Sequence, residues 1–489
     1  MELSESDWLL KSSLSGKKTT GGLIYSKLSD GSRWHEAYME HLEILKALGL
    51  FDARVPRYTS YPTAAVFSPK VGSAFQEASL RQLDPGDPVS VYLHIPFCER
   101  LCWFCACHTQ GTRTLGPLES YIETLEQELE LLRGTLPDGV RMGRLHWGGG
   151  TPTILPPPLI HRLSKAIRSV FAPATDFEFS VEIDPTMVDR AKIDALAAEG
   201  MTRASIGIQD FDPIVQKAIG RLQPFEVTRT CVADLRAAGI TSLNTDLVYG
   251  LPHQTLARIQ DTVDKVLTFQ PDRVALFGYA HVPWVSKRQK LIEEDALPDD
   301  KARYSLAAQA AEQFTGAQMR PIGIDHFARP DDDLALAVTS GRLRRNFQGY
   351  TTDTCETLIG VGASSISRLP EGYVQNAPAT AAYKQRIASG CLPGARGFQL
   401  THADRLHAQV IERLMCTFAL DLEDLRPEFG QRVEALKPQL ADIAGRFAPF
   451  IQRDGSRIVI LPEGRPLTRI IASVFDQHVP EGVRYSRAS

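Results

Sequence analysis

The chain has no apolar run approaching the roughly 18 to 20 residues that a membrane-spanning helix needs, so no membrane span is expected. It also lacks a surplus of positive charge. Its 54 Lys and Arg residues face 58 Asp and Glu, for a formal net charge of -4 with both signs interspersed. Nucleic-acid binding through a global positive field is thereby excluded, and any anionic ligand must be met by local arginines. The first 55 residues hold Glu2, Glu5, Asp7, Asp30 and Glu36 among their basic residues and show no apolar stretch of secretory type. A cytoplasmic location is therefore expected. No short-period repeat, low-complexity tract or heptad pattern is present, and a monomer is the expected state.

Evenly spread cysteine is missing too. Four of the eight cysteines fall between Cys98 and Cys107, a crowding that suits metal ligation in a reducing compartment better than a disulfide framework. Cys231, Cys355, Cys391 and Cys416 stand singly among apolar neighbours and read as small buried hydrophobes.

From about residue 88 to 330, strand-like and helix-like stretches alternate, the pattern of βα units around a parallel sheet. The strand candidates are Val89–Pro96, Arg144–Trp147, Phe177–Ile183, Arg203–Ile208, Ser242–Val248 and Arg273–Tyr279. Helix candidates between them include Tyr121–Leu132, Leu159–Phe171, Arg190–Glu199 and Ile259–Phe269. The expected fold is α/β: a partial (β/α)6 barrel with extra strands, an N-terminal arm or lid over residues 1–55, a catalytic unit over 56–370 and a small C-terminal α+β domain over 371–489. That last domain rests on the helical patterns Asp404–Phe418 and Gly430–Phe447, followed by Phe450–Leu461 with its Asp454-Gly455 hairpin signal.

In such barrels the loops at the C-terminal ends of the strands converge on one mouth. Here those ends carry the cysteines, Gly148–Thr151, Glu182 and Asp184, Gln209, Asp246–Gly250 and Tyr279–His281. The cysteine segment reads Cys98-Glu-Arg-Leu-Cys102-Trp-Phe-Cys105-Ala-Cys107. A C-x3-C-x2-C loop offers three thiolates to three corners of a [4Fe-4S] cubane and leaves the fourth iron open to an outside ligand. Zinc, which prefers C-x2-C pairs and four protein ligands, suits it poorly. The next strand ends in His146-Trp147-Gly148-Gly149-Gly150-Thr151-Pro152. The absence of side chains there would let backbone groups approach the amino-acid end of a cofactor; a plain turn is the alternative.

These motifs resemble the oxygen-independent coproporphyrinogen III oxidases, radical S-adenosylmethionine (SAM) enzymes of haem biosynthesis. The likeness runs from about Arg57 to Ile471. It takes in Arg57–Thr63, Tyr92–Cys98, Cys107, Ile206–Phe211, Asp246–Pro252, Tyr279–His281, Gly323–Ala328 and Asn346–Thr352. It implies conversion of two propionates of coproporphyrinogen III into vinyl groups, giving protoporphyrinogen IX. In that chemistry a 5′-deoxyadenosyl radical takes a β-hydrogen, and carbon dioxide and one further electron then leave. The resemblance further implies an external low-potential electron donor, a separate electron acceptor and two bound SAM molecules. Carried over by motif, Tyr92, Gly149, Glu182 and Ile366 contact the first SAM, and Phe104, Gly150, Thr151, Gln209, Arg221, Asp246 and Ala280 the second.

Cys107 is not expected to bind iron, since SAM takes the fourth site. It is read as standing near the radical or the substrate, with loop packing as the alternative. Arg57, Arg113, Arg329, Arg344 and Arg345 are candidates for the substrate carboxylates. Two departures from the family stand out: a longer segment before Arg57, and Gly278 where a larger polar residue is expected. Competing readings are a haem chaperone of the same superfamily and a haem-degrading radical SAM methyltransferase. Cys107 and the Arg57–Thr63 block argue against the first, and Asn346–Thr352 with Arg57–Thr63 against the second.

Overall fold

The structure is a computed structural model that describes residues 40–479 and 482–488. The stretch 1–39 of the expected N-terminal arm lies outside the described residues. The unit Leu45–Ser489 carries every described strand.

The βα rhythm is realised as β1 (Val89–Ile95), α1 (Gly116–Thr135), β2 (Arg141–Gly149), α2 (Pro157–Val170), β3 (Ala172–Ile183), α3 (Arg190–Ala198), β4 (Arg203–Gln209), α4 (Phe225–Ala237), β5 (Ser242–Tyr249), α5 (Leu256–Leu267), β6 (Arg273–Gly278) and α6 (Asp300–Gly316). Local chemistry marks the helix ends. Asp189, Thr255 and Asp299 accept backbone N–H groups at the starts of α3, α5 and α6. Gly200 and Gly239, at φ +84° and +86°, follow the ends of α3 and α4. On α2 the residues Leu159, Ile160, Leu163 and Ile167 share one face and are buried, as a period of 3.6 requires.

Further strands are β7 (Arg320–Ile322), β8 (His326–Ala328), β9 (Leu358–Val361), β10 (Ile366–Leu369), β11 (Gly372–Asn376) and β12 (Gly394–Gln399). All join one 12-stranded sheet in the order β12-β11-β10-β9-β1-β2-β3-β4-β5-β6-β8-β7. From β9 to β6 every neighbouring pair is parallel, and the flanks are antiparallel. The two ends of this order do not pair, so the sheet is open. Sequence reading misses β9, which adds a parallel strand on the far side of β1. The chain also stays in the sheet beyond residue 370, because β11 and β12 continue it. A smaller sheet follows, Ala419–Asp421, Arg457–Ile460 and Ile451–Asp454, whose two-residue turn is Gly455-Ser456. The expectation for the scattered cysteines needs correction. Cys231 and Cys416 are buried, but Cys355 is half-buried and Cys391 exposed, the latter in the turn after the helix Thr380–Ala388.

One polar network ties helix to sheet. The Glu128 carboxylate of α1 is fully buried and accepts from Tyr383 Oη (2.5 Å), Asn376 Nδ2 (2.8 Å) and Gly362 N (2.7 Å). Tyr121 Oη donates to His94 O (2.9 Å) and accepts from Ala363 N (2.9 Å), so the β9–β10 turn is bolted to the end of β1. Burial pushes Glu128 up to about 7 despite its three donors. A carboxyl raised on folding binds its proton more tightly in the folded chain, so its contribution to stability falls as pH rises from its ordinary 4.5 to about 7. Glu128→Gln should flatten that decline in urea unfolding curves taken across the range. Tyr383→Phe, which leaves the carboxylate short of a donor, should cost about 1–3 kcal/mol, read as a lower urea midpoint at unchanged slope.

Candidate active site

Residues on one face of the central parallel strands are polar or small and stay accessible to solvent, while their neighbours on the other face pack under the helices. On β4, Ser205, Gly207 and Gln209 are partly accessible and Ala204, Ile206 and Ile208 are buried. On β5, Asn244 and Asp246 repeat the pattern. Glu182, at the end of the central strand β3, has 41 % of its side chain accessible. Accessible polar groups gathered at the C-terminal ends of parallel strands outline a candidate cavity, and its floor is this face of the sheet.

β1 runs through Pro96 into the short strand Phe97–Cys98, which pairs in parallel with Gln110–Gly111 and closes the cysteine loop at its base. The Gly150 and Thr151 N–H groups donate to Ile95 O and Phe97 O, both at 2.8 Å, and so extend the β1–β2 ladder past the strands. The glycine turn therefore lies directly against the cysteine loop. Thr151 Oγ1 donates to Cys98 Sγ (3.5 Å), Arg221 Nη1 to Cys102 Sγ (3.6 Å) and the Cys107 N–H to Cys105 Sγ (3.4 Å). Two polar side chains and one amide thus face the three sulfurs; burial nevertheless pushes the Cys98 thiol up to about 11, whereas hydrogen bonding with Cys107 draws Cys105 down to about 6. On the far side of the loop, Ser286 Oγ donates to Cys105 O (2.9 Å), and Gln289 Nε2 to Phe104 O (2.7 Å) and Ala280 O (3.1 Å).

Tyr92, His146 and Ser180 stand in register on β1, β2 and β3. The Tyr92 and His146 rings stack at 5.7 Å, and His146 bonds Ser180 Oγ on one side and Glu182 Oε1 (3.4 Å) on the other. Gly149 N–H donates to Glu182 Oε2 at 3.1 Å. Burial alone would raise Glu182, but the His146 ring and the Gly149 amide outweigh it and hold this carboxylate below its ordinary range. Asp246 is the opposite case. Burial pushes it up to about 6 even though Asn244 Nδ2 (2.8 Å) and Ser205 Oγ (3.1 Å) donate to it.

The expected first-cofactor residues meet at this wall. Gly149 touches Glu182, and Gly360, in register with Tyr92, packs against the Ile366 backbone. The expected second-cofactor residues also gather. Gly207 lies opposite Asp246, and a Cβ added at Gly207 would stand 3.1 Å from Gln209 Nε2 and 3.2 Å from Arg221 Nη2. Gln209 takes φ +72° at the bulge that ends β4. Arg221 shows no open fork. Its nitrogens are engaged by Gln223 Oε1 (3.0 Å), Gly207 O (2.9 Å), Cys102 Sγ and Asp184 Oδ2 (3.2 Å), so it acts here as a strut beneath the cysteine loop.

Sequence reasoning missed His146, Ser205, Asn244 and Gln289. The polar alternation along β4 and β5 carried a signal for Ser205 and Asn244, whereas Gln289 lies in a 3-10 turn with no pattern to mark it. The arginine candidates divide. Arg329 pairs with exposed Asp331 (3.0 Å) and Arg344 with Glu412 (2.9 Å) and Glu356 (3.2 Å), while Arg113 is exposed. Arg57 and Arg345 stand at the cavity, near Asp325.

The residues present fit an iron–sulfur cubane with an amino-acid-bearing cofactor. A Cβ at Gly148 would stand 2.7 Å from Glu182 Oε1, at Gly149 2.6 Å from the His94 ring and at Gly150 2.6 Å from Phe97 O, so this cradle admits glycine alone. Among the described residues, no three His, Cys, Asp or Glu groups are close enough to hold one metal ion. A cubane, ligated corner by corner, makes no such demand.

Comparison with known proteins agrees in direction. The Radical SAM superfamily matches residues 92–266. The chain is 61 % identical over 452 residues, 92 % of its length, to the oxygen-independent coproporphyrinogen III oxidase of Cereibacter sphaeroides (strain ATCC 17025), whose full length is covered. It is 38 % identical over 443 residues to the protein of that name from Escherichia coli K12, covering 89 % of this chain and 95 % of that one. The solved structure of coproporphyrinogen III oxidase from Escherichia coli, described as a radical SAM enzyme, matches with a TM-score of 0.83 at 36 % identity, over 87 % of this chain and all of that one.

Cys102→Ser should abolish the charge-transfer absorbance of the anaerobically reconstituted protein, whereas Cys107→Ser should keep its iron. Iron loss in Cys107→Ser would refute the three-ligand assignment. Gly149→Ala, forced into φ +113° against the His94 ring, should lose about tenfold or more in SAM affinity by equilibrium dialysis, as expected for strain of about 1–3 kcal/mol.

Proposed function

We propose, from the premise that this chain belongs to the oxygen-independent coproporphyrinogen III oxidases of the radical SAM superfamily, that it oxidatively decarboxylates two propionates of coproporphyrinogen III to vinyl groups, giving protoporphyrinogen IX. The observation that carries this reading is the single cavity wall on which the cysteine loop, the glycine cradle and the Glu182 carboxylate meet. When bound, a [4Fe-4S] cluster and SAM supply one-electron chemistry able to remove hydrogen from an unactivated propionate β-carbon.

The chain's own residues prepare for that step. Cys98, Cys102 and Cys105 offer three thiolates, with Thr151 and Arg221 donating to two of them. Glu182, kept ionised, is placed to accept from an ammonium group, and the backbone of Gly148–Gly150 comes close where side chains would obstruct. Tyr92 is fixed by His146 on one face and by a hydrogen bond with His94 Nδ1 (3.1 Å) at its hydroxyl. Asp246 and Gln209 present polar groups farther along the floor, suited to a second SAM with Phe104, Gly150, Thr151, Arg221 and Ala280. Cys107 faces the same space as Tyr92 and Glu182, close enough for their charges to be felt. Ser286 and Gln289 hold the cysteine loop from the side of the 280–289 segment by donating to Cys105 O and Phe104 O.

The reading extends to a monomer in the cytoplasm, fed by an external low-potential donor and relieved by a separate electron acceptor. The reduced-cysteine pattern of the sequence supports it, and no described helix is long and apolar enough to cross a membrane.

An anaerobic assay tests the function. Reconstituted protein receives coproporphyrinogen III, SAM, a low-potential reductant and cell extract as a source of acceptor, and the tetrapyrroles are separated by chromatography. One-vinyl and two-vinyl products are expected. Their absence with the cluster intact would refute the oxidase, and tight haem binding in the same sample would point to a chaperone.

A further inference from the structure

At the ends of β5 and β6 the cavity wall turns strongly basic. Arg57 Nη2 donates to Gly278 O at 2.9 Å, the one hydrogen bond its guanidinium makes among the described residues. Arg57 is exposed at its side chain, and the protein packed around it still lowers its pKa through burial. Arg345, with 4 % of its side chain accessible, lies flat over the Tyr350 ring at 4.4 Å. Its Nε and Nη1 make no hydrogen bond, and Asp325 Oδ1, its carboxylate neighbour, is 3.8 Å away. Asp325 is already committed to His326 Nδ1 at 2.7 Å.

Gly278 deepens the site. A side chain here would collide with Tyr249 Oη (2.9 Å) and Arg303 Nη2 (3.2 Å), so the missing side chain makes room for a third guanidinium, itself 5.5 Å above the Tyr249 ring. Arg469 stands behind, feeling the charges of Arg57 and Arg345. Its own nitrogens are spent on Val55 O, Pro56 O, Arg487 O and Ala488 O, which fixes the segment that carries Arg57.

Two guanidiniums share one carboxylate that is already bonded to His326, and Arg345 keeps two buried nitrogens with no hydrogen-bond acceptor, so positive charge and unused donors exceed the acceptors present and an arriving anion would balance them. Arg57 meets Gly278 at the C-terminal end of β6, the end of the parallel strands at which Glu182 and the cysteine loop also lie, so the anion belongs to what that end of the sheet takes. We propose that Arg57 and Arg345, with Arg303 beside them, form a carboxylate station that holds a propionate of the tetrapyrrole that is not being decarboxylated. This rests on the coproporphyrinogen reading. The departing carboxylate is a poor occupant, because a guanidinium pair would stabilise it in the ground state and oppose loss of carbon dioxide. Guanidiniums bind carboxylates through paired, charge-assisted hydrogen bonds, and losing one such set costs about tenfold or more in affinity.

The test uses the reconstituted full chain with coproporphyrin III as a fluorescent tetracarboxylate and its tetramethyl ester as the uncharged control. Arg57→Gln, Arg345→Gln and Arg345→Lys are compared with wild type by fluorescence titration and by KM for coproporphyrinogen III. The two Gln variants should bind the tetraacid about tenfold or more weakly, with a matching rise in KM and unchanged ester affinity, and the Lys variant should recover part of the loss. Should Arg345→Gln fail to fold, Arg57→Gln, at an accessible position, decides alone. Variants that bind the tetraacid as wild type does, or that lose acid and ester equally, overturn the station while leaving the oxidase intact if wild type forms vinyl products. A folded, cluster-loaded wild type that forms none overturns the activity reading instead.

Discussion

Two backbone hydrogen bonds carry the architecture of the site. Gly150 N to Ile95 O and Thr151 N to Phe97 O continue the pairing of β1 and β2 beyond the end of β2, and so zip the glycine turn to the root of the cysteine loop. Only a residue without a side chain fits at position 150, since a Cβ there would press on Phe97 and Ile95 backbone atoms at 2.6–2.9 Å. The distance between the thiols and the cradle is therefore set by sheet geometry rather than by loop preference, which is how a rigid element lends precision to a reactive centre.

From that fixed edge the polar wall extends by register. Parallel pairing places Tyr92 beside His146, Glu182 beside Ser205 and Gly207 beside Asp246, so successive strands deliver successive polar groups to one face. The opposite face is hydrocarbon under helices, with Ala204, Ile206, Ile208 and Leu243 almost fully buried. The two carboxylates of the wall differ because their neighbours differ. Glu182 has a histidine and an amide and stays ionised, whereas Asp246 has neutral donors and is drawn toward its protonated form.

Most of the central sheet is legible in the sequence because strand-like runs alternate with helix-like stretches, three of which open on an Asp or Thr cap. β9 is not. It is a four-residue strand, Leu358–Val361, running into Gly362 and Ala363, and it reads as part of a small-residue stretch until β1 is found pairing with it. The cysteines and glycines are legible because their spacing is local, and the motif resemblance supplies Tyr92, Glu182, Gln209 and Asp246. The struts that hold them are long-range. Gln289 meets Phe104 across 185 positions and Arg221 meets Cys102 across 119, and no periodicity announces such partners. The arginine candidates show the same divide: the tetracarboxylate substrate that the resemblance implies suggests five, and only the fold reveals that Arg329 and Arg344 are neutralised elsewhere.

Arg469 gives the molecule an order of assembly. Its guanidinium clasps carbonyls of Val55 and Pro56 on one side and of Arg487 and Ala488 on the other, where Arg54 and Arg487 also form a β-bridge. During synthesis every strand of the 12-stranded sheet, the last of which ends at Gln399, is made before this clasp has all its parts at Arg487 and Ala488, and chains fold vectorially from the N-terminal side. The scaffold for the metal thus precedes the clasp that fixes the Arg57 segment, so the nascent protein passes through a stage in which the chamber has a floor and most of its walls but its rim is still unfastened.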